Sequence, residues 1–491
     1  MSTLTALPER PLRFIRNHRL VTVEAPAPDA MLLDWLRAGG EHGTREGCAE
    51  GDCGACTVVL GELHQGSLRL RAVNSCIRLL SSIDGCALFT IEDLQAADGA
   101  LHPAQQAMLE CHGSQCGFCT PGFVMSMFAL YHQAGAGAPP GCIDREHAQT
   151  ALSGNLCRCT GYRPILEAAQ TMHEHPARPL DEATLTAQLR ALQVPEGQRL
   201  TSPGGVTWRP ADRTQALACR RASPAAQIVA GTTDVGLWIN KGHQAPAEVL
   251  DLSGVAELAE IRVGGGELHI GAGARLTDAF DAISRRWPPV AGFLGRFAGQ
   301  PVRNSATLGG NIANGSPIGD SMPLLIALDT RLTLANTRSQ REMPLEHFYT
   351  GYRRNRLGAD ELVCDVRIPE PVPGQVVRAY KVSKRFEDDI SAVCLALALR
   401  LVDGRILAAR IGVGGMAATP CRAPATEAAL VDQPWSLAVL QAAGDILRNE
   451  FTPISDMRAS AGYRREVIGN LLTRLWHDVQ DGGVSLAELQ P

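Results

Sequence analysis

The spacing of apolar positions changes several times along this chain, and each change predicts a different kind of structure. Short apolar runs at 12–15 and Arg19–Val23 predict strands, 31–37 predicts a helix, and Thr57-Val58-Val59-Leu60 predicts a further strand. After Gly99 the texture is helical. Thr120 stands as a cap with Pro121 at the first helical position, and Phe123, Val124, Met127, Phe128 and Tyr131 repeat at helical spacing. Another helical run covers 165–173. The 174–200 stretch, with Pro176, Pro179 and Pro195 around a short polar helix at 181–192, reads as an exposed linker. A mixed segment follows at 201–370, punctuated by glycine-rich turns. Beyond it, strands Val393–Val402 and 405–413 flank an Asp403-Gly404 hairpin signal and lead to two helices, 434–448 and 454–476. No internal repeat or low-complexity tract is evident.

A chain of 491 residues exceeds one core, so three or four domains are expected. The net charge of −5, with no basic stretch, gives no electrostatic case for nucleic acid. The longest apolar stretch, 392–399, is too short to cross a bilayer, and the first thirty residues lack a signal-peptide core, so a cytoplasmic protein is expected.

The candidate chemistry lies in the 15 cysteines. Cys48-x4-Cys53-x2-Cys56, closed by Cys76, has the plant-type [2Fe–2S] spacing. Gly47, Gly51 and Gly54 let the backbone coil closely around such a cluster with its N–H groups turned inward. Cys116-x2-Cys119 and Cys157-x-Cys159 make a second set of four, each pair beside a helix start, where exposed N–H groups favour negative charge. Two zinc sites are the alternative, but zinc knuckles favour C-x2-C at both ends. Cys111-x4-Cys116-x2-Cys119 imitates the plant-type spacing, yet both sets are complete without Cys111. The remaining cysteines, Cys86, Cys111, Cys142, Cys219, Cys364, Cys394 and Cys421, read as free thiols in a reducing compartment.

Iron–sulfur domains often feed a dinucleotide cofactor. The partial fingerprint Gly412-x-Gly414-x-x-Ala417 runs into Thr419-Pro420 instead of a helix and fails its context. Two other turns are candidate pyrophosphate nests: Gly231-Thr232-Thr233-Asp234 after the apolar run Ile228-Val229-Ala230, and Thr307-Leu308-Gly309-Gly310-Asn311. Taken alone, each is more often an ordinary strand turn than a phosphate site; two such nests in one segment downstream of the cysteine sets narrow the difference.

The runs His112-Gly113-Ser114-Gln115-Cys116-Gly117-Phe118-Cys119-Thr120-Pro121-Gly122 and Gly154-Asn155-Leu156-Cys157-Arg158-Cys159-Thr160-Gly161-Tyr162-Arg163-Pro164, together with 307–320, resemble the molybdenum hydroxylase family. From about 10 to 480 the chain is similar to the iron–sulfur/FAD small subunits of bacterial xanthine dehydrogenases. The resemblance implies a multidomain α+β chain: a plant-type [2Fe–2S] ferredoxin (β-grasp) domain at 10–88, a helical-bundle [2Fe–2S] domain at 89–173, the linker 174–200, a vanillyl-alcohol-oxidase-type FAD-binding domain at 201–371, and a C-terminal α+β domain like the CO dehydrogenase flavoprotein at 372–491. It implies FAD contacts from Ile228, Val229, Ala230, Gly231, Thr232, Thr233, Asp234 and Val235, from Thr307, Leu308, Gly309, Gly310 and Asn311, and from Phe297, Asp320, Val363 and Lys381. Tyr352 and Asp388 match positions near the flavin ring and the nicotinamide entrance.

The function so implied is electron transfer through two [2Fe–2S] clusters and FAD to NAD⁺, with no acid or nucleophile of this chain catalytic. No molybdopterin domain follows residue 491, so the molybdenum-pterin site that hydroxylates hypoxanthine or xanthine is expected on a large partner subunit, in a complex of two small and two large chains. Rival readings are the equivalent subunit of an aldehyde, carbon monoxide or N-heterocycle hydroxylase, and a flavin/iron–sulfur redox sensor.

Overall fold

A computed structural model of the chain describes residues 7–386 and 388–480; Glu387 and the 481–491 end of the expected C-terminal domain lie outside them. Two compact units emerge, one of residues 7–257, 275–277 and 298–307, the other of 258–274, 278–297 and 308–480.

The first unit opens with a five-stranded mixed sheet. Leu12–Arg16 pairs antiparallel with Arg19–Val23 and parallel with Ala87–Phe89, and Thr57–His64 and Ser67–Asn74 complete the sheet. Leu12, Phe14, Val58, Leu60 and Leu88 from this sheet bury against Leu32 and Leu36 of the Leu32–Ala38 helix. Four helices follow, Pro103–Glu110, Thr120–Ala134, Arg145–Leu152 and Arg163–Thr171. The second of these begins one residue earlier than its sequence signals: Cys119 takes the cap position, Thr120 is already helical, and the Thr120 hydroxyl donates to Ser114 Oγ at 2.8 Å.

Phe123, Met127, Phe128 and Tyr131 join Val59, Ala72 and Phe89 of the sheet in one hydrophobic cluster, so the two cysteine-bearing domains share a core. The expected exposed linker is different in fact. Its helix, Glu182–Leu192, lies on the strands of the first sheet and sinks Leu185 and Leu189 completely into that shared core. Those two leucines are spaced i, i+4, enough to make one face of an otherwise polar helix adhere. The unit ends in a four-stranded sheet in which Gln227–Val229 lies parallel to Glu248–Asp251, which in turn lies parallel to Gly205–Arg209.

The second unit contains an antiparallel five-stranded sheet with Leu362–Pro369 at its centre, and an antiparallel four-stranded sheet from Gln375–Val382 to Cys421–Arg422. Asp403 and Gly404 both adopt positive φ, 49° and 72°, as a type I′ hairpin requires. The last helices start later than the sequence suggested, at Leu437–Glu450 and Ala461–Gln480, and an unforeseen helix, Pro424–Leu430, precedes them. Gly412 and Gly414, the partial fingerprint, serve packing: a Cβ on Gly412 would lie 1.9 Å from the Pro323 carbonyl oxygen of the helix Ser321–Ala327.

Among the first unit's helices, His102 and His132 are largely buried in an aromatic cluster with Phe128 and Tyr131, their rings 5.6 Å apart. Burial pushes His102 down to about 3 and His132 down to about 4. Both lie below the unfolded value of 6.5, so the unfolded chain takes up these protons first. The stabilisation is complete above that value and is lost as pH falls toward the folded values, each ring contributing at most about 1.4 kcal/mol per pH unit. Urea unfolding followed at stepped pH is expected to show this slope, and His132→Phe to remove about half of it; an unchanged slope would contradict the assignment.

Candidate functional site

The first four cysteines are gathered by the loop between the Leu32–Ala38 helix and the Thr57–His64 strand, with Cys76 brought in on a single 3₁₀ turn, Ser75–Ile77. The amide N–H groups of Glu50, Asp52 and Cys53 all point at Cys48 Sγ, each at 3.4 Å. A Cβ on Gly47 would lie 2.8 Å from Cys53 Sγ, so the glycine leaves the room that the sulfur occupies. The four sulfurs share protons. Hydrogen bonds from the Cys53 and Cys76 thiols hold Cys48 far below the usual thiol range, and one from Cys76 lowers Cys56. The donors are correspondingly raised, Cys53 by its bond to Cys48 and Cys76 by its bonds to Cys48 and Cys56. A cation bound among the four sulfurs would take the place of the protons that Cys53 and Cys76 retain.

The second four lie between helix ends. Cys116 and Cys159 sulfurs are 3.6 Å apart, close to the edge of about 3.8 Å of a tetrahedron with metal–sulfur bonds of about 2.3 Å. Cys119 pairs with Cys157; burial and then the Cys157 sulfur push it up to about 12. Burial opposes ionisation of Cys157 as well, but the Thr160 hydroxyl, 3.2 Å away, and nearby amides outweigh it and lower the thiol. The N–H of Cys157 donates to the Tyr162 hydroxyl at 3.0 Å. Among the described residues the thiols fall into pairs and form no single-ion cage. Paired thiolates suit a two-iron rhomb, in which each iron takes two, better than one zinc ion. Cys111 stands apart, its sulfur 3.7 Å from the Thr171 hydroxyl.

What the sequence reading missed is the joint between the two sets. The N–H of Leu156, which precedes Cys157, donates to the Cys53 carbonyl at 3.0 Å. The Asn155 carboxamide donates to Gly54 O at 3.0 Å and Thr57 Oγ1 at 3.2 Å, and accepts from Ser126 Oγ at 2.6 Å. Gly54, at φ +67°, has no space for a side chain: a Cβ would lie 2.3 Å from the Gly154 carbonyl. Asn155 was in view only as part of a cysteine motif, with nothing to mark it as a joint.

The flavin candidates fall in both units. In the first, Val229 is buried, whereas Ile228 and Ala230 are only partly so. Thr232 holds a left-handed φ of 62°, and its carbonyl accepts from the Gly236 N–H at 2.6 Å, which turns the chain from Gly231-Thr232-Thr233-Asp234 into the helix Val235–Asn240. Arg275 engages the carbonyls on either side of this turn, Ser305 O at 2.8 Å and Ala230 O at 3.4 Å. Thr307 bridges to Arg275.

In the second unit the other glycine turn is in fact the start of a helix, Leu308–Asn314, with Gly309 pressed onto Ala272 and Asn311 accepting from Ser321. Phe297 meets Phe280 edge to face at 5.4 Å. Asp320 and Lys381 meet each other: Lys381 Nζ lies 2.9 Å from Asp320 Oδ2, both side chains nearly inaccessible. Ser391 donates to the other Asp320 oxygen at 2.5 Å, and Lys381 also donates to Arg296 O at 2.9 Å. Val363 is buried in the central strand opposite Leu334. Tyr352 lies exposed between the short strands Tyr349–Gly351 and Arg354–Asn355, and Asp388 takes φ 46° in the loop beyond Gln375–Val382.

Four family models match in sequence: a 2Fe-2S iron–sulfur cluster binding domain at 14–78, a [2Fe-2S] binding domain at 90–170, the FAD binding domain in molybdopterin dehydrogenase at 201–371, and the CO dehydrogenase flavoprotein C-terminal domain at 378–479. The chain carries the iron–sulfur, FAD-binding and flavoprotein domains of the molybdenum hydroxylase family. Xanthine dehydrogenase of Drosophila subobscura is 34% identical over 95% of this chain and 39% of its own length. Aldehyde oxidase 4 of Cavia porcellus is 31% identical over 98% of this chain and 40% of its own. The chain thus spans about two fifths of these relatives. Among solved structures, a carbon monoxide dehydrogenase from Hydrogenophaga pseudoflava that lacks the Mo-pyranopterin moiety aligns at TM-score 0.52 and 27% identity, covering 54% of this chain and 93% of that one.

The Asp320–Lys381 pair yields a stability test. Lys381→Met leaves a buried carboxylate unpaired and is expected to cost about 3–5 kcal/mol in chemical denaturation, whereas Lys381→Met with Asp320→Asn recovers most of it. A loss under about 1 kcal/mol in the single variant would show that the pair is not part of the core.

Proposed function

We propose that the chain is the electron-transfer subunit of a xanthine dehydrogenase, taking electrons from a molybdenum-pterin site on a large partner subunit and delivering them to NAD⁺. The observation that carries this reading is the direct hydrogen-bonded contact between two four-thiolate pockets on a chain that also carries a FAD-binding domain. The xanthine dehydrogenase relative, matched along 95% of the chain, supports the substrate.

When bound, two [2Fe–2S] clusters and FAD supply a one-electron relay that ends in hydride chemistry. The chain's own residues place and tune these groups. Cys48, Cys53, Cys56 and Cys76 hold the first cluster, and the three N–H groups at Cys48 stabilise added negative charge. Cys116, Cys119, Cys157 and Cys159 hold the second. Cys116 and Cys159 are exposed, beside the exposed Phe118 and Leu156, which suits electron entry from a partner. Backbone N–H groups of the 231–234 turn would hold the FAD pyrophosphate, and by the resemblance Phe297 would serve the adenine and Tyr352 and Asp388 the nicotinamide approach. At 307–311 the Leu308 and Gly309 N–H groups are already given to Ala274 O and Ala272 O, so that segment would contribute through its remaining groups.

The assembly is two small and two large chains in the cytoplasm; no helix among the described residues is long and apolar enough to cross a membrane. The aldehyde oxidase relative supports a second reading, the same subunit serving an aldehyde-oxidising partner.

Anaerobically purified protein is expected to hold about four irons and about four acid-labile sulfides per chain, with two electron paramagnetic resonance signals. Cys53→Ser removes one signal and Cys119→Ser the other; zinc in place of iron would overturn the assignment. The chain should reduce artificial dyes from NADH, and combining it with the large subunit should give xanthine-dependent NAD⁺ reduction. Turnover of aldehydes with no turnover of xanthine in that complex would select the second reading.

A further inference from the structure

Cys76 reaches the first set from 20 residues beyond Cys56, so something must hold the turn that carries it against the Cys48–Cys56 loop. The side chain that spans the two is Asn240. Its Nδ2 donates to Cys76 O at 2.7 Å and to Ala49 O at 3.0 Å. Ala49 directly follows the ligand Cys48 and sits at φ 54°, a conformation a non-glycine residue adopts only when its surroundings hold it there. Asn240 is also the last residue of the helix that begins right after the Gly231-Thr232-Thr233-Asp234 turn. That helix is itself fixed. A Cβ on Gly236 would lie 2.7 Å from Ile77 O, and Trp238 and Ile239 pack against a cluster formed by Met31, Leu79, Val229, Val235 and Val249.

From this geometry we propose that Asn240 is a positioning residue for the first iron–sulfur cluster. Its carboxamide staples the remote ligand Cys76 to the Cys48 loop and ties both to the flavin turn through one short helix. Both Nδ2 hydrogens are used on main-chain carbonyls next to ligands, so the residue fixes the direction in which the Cys76 and Cys48 side chains leave the backbone. A donor on the carbonyl of a ligand also draws electron density from it, which favours the reduced cluster. The inference rests on the reading of the first four cysteines as a [2Fe–2S] site.

The test compares full-length wild type with Asn240→Leu, which keeps the size and removes both donors, Asn240→Asp, which turns a carboxylate toward two carbonyls, and Asn240→Gln, which restores a carboxamide. Chelator-driven iron release, the midpoint potential and the paramagnetic signal of each cluster are read separately. In the Leu and Asp variants the first cluster is expected to lose iron about tenfold faster, with a shifted signal and a lowered potential, while the second cluster keeps wild-type values. The Gln variant should lie nearer to wild type. Unchanged release, signal and potential of the first cluster in both Leu and Asp would overturn the inference. Equal loss of both clusters in all three variants would also overturn it, by showing a general role in folding. Wild-type protein without the first signal would instead overturn the reading of the site.

Discussion

The arrangement of the redox centres depends on a hydrogen-bonded joint with no room for side chains. Gly54 O and Cys53 O belong to the first cysteine loop; Asn155 and Leu156 immediately precede the second cysteine pair, and they donate to those two carbonyls. Gly54 and Gly122 exist at this joint because a Cβ at either would collide with backbone, 2.3 Å from Gly154 O in one case and 2.2 Å from Gly54 O in the other. The oxygen of the Asn155 amide is satisfied by Ser126 of the Thr120–Ala134 helix, so the buried carboxamide is paired on both sides. Two loops from separate domains are thereby held backbone to backbone, and Leu156–Cys157 follows Cys53 through a single hydrogen bond.

The shared hydrophobic core explains why such a joint can be rigid. Val59, Ala72 and Phe89 of the sheet and Phe123, Met127 and Phe128 of the helix bury one another, and the Glu182–Leu192 helix closes over the same core. Domains that meet only through polar surface would be expected to move. Here movement would expose large aromatic side chains. Elsewhere in this unit Glu62 lies among Arg71, Arg78 and Arg275, at 3.6 to 3.8 Å, and these cations hold its carboxyl below the usual range despite burial. Arg275 carries that cluster to the carbonyls around the Gly231 turn, so charge in the first sheet and backbone shape at the Gly231 turn are linked by one side chain.

Much of this was legible because it is local. Cysteine spacing encodes a ligand set directly, and the strands Arg19–Val23 and Val393–Val402 were read with their observed bounds. What escaped the sequence is tertiary. A helix between prolines looked like an exposed connector because only Leu185 and Leu189 show its buried face. Gly309 and Gly310 looked like a strand turn but begin a helix, since Gly309 is there to meet Ala272 and not to bend the chain. Asp320 and Lys381, read separately as nucleotide contacts, neutralise each other. Asn155 and Asn240 carry no local signature; their importance comes from carbonyls 101 and 164 positions away.

The central claim is that the two cysteine sets hold iron–sulfur clusters in one rigid, directly joined body. It is tested most directly by spin–spin interaction between the clusters when both are reduced. Pulsed electron paramagnetic resonance of the fully reduced protein should show each signal broadened and relaxed by the other, with a single narrow distribution of separations, and Asn155→Ala should widen that distribution. Two signals that behave independently at full reduction would contradict the account.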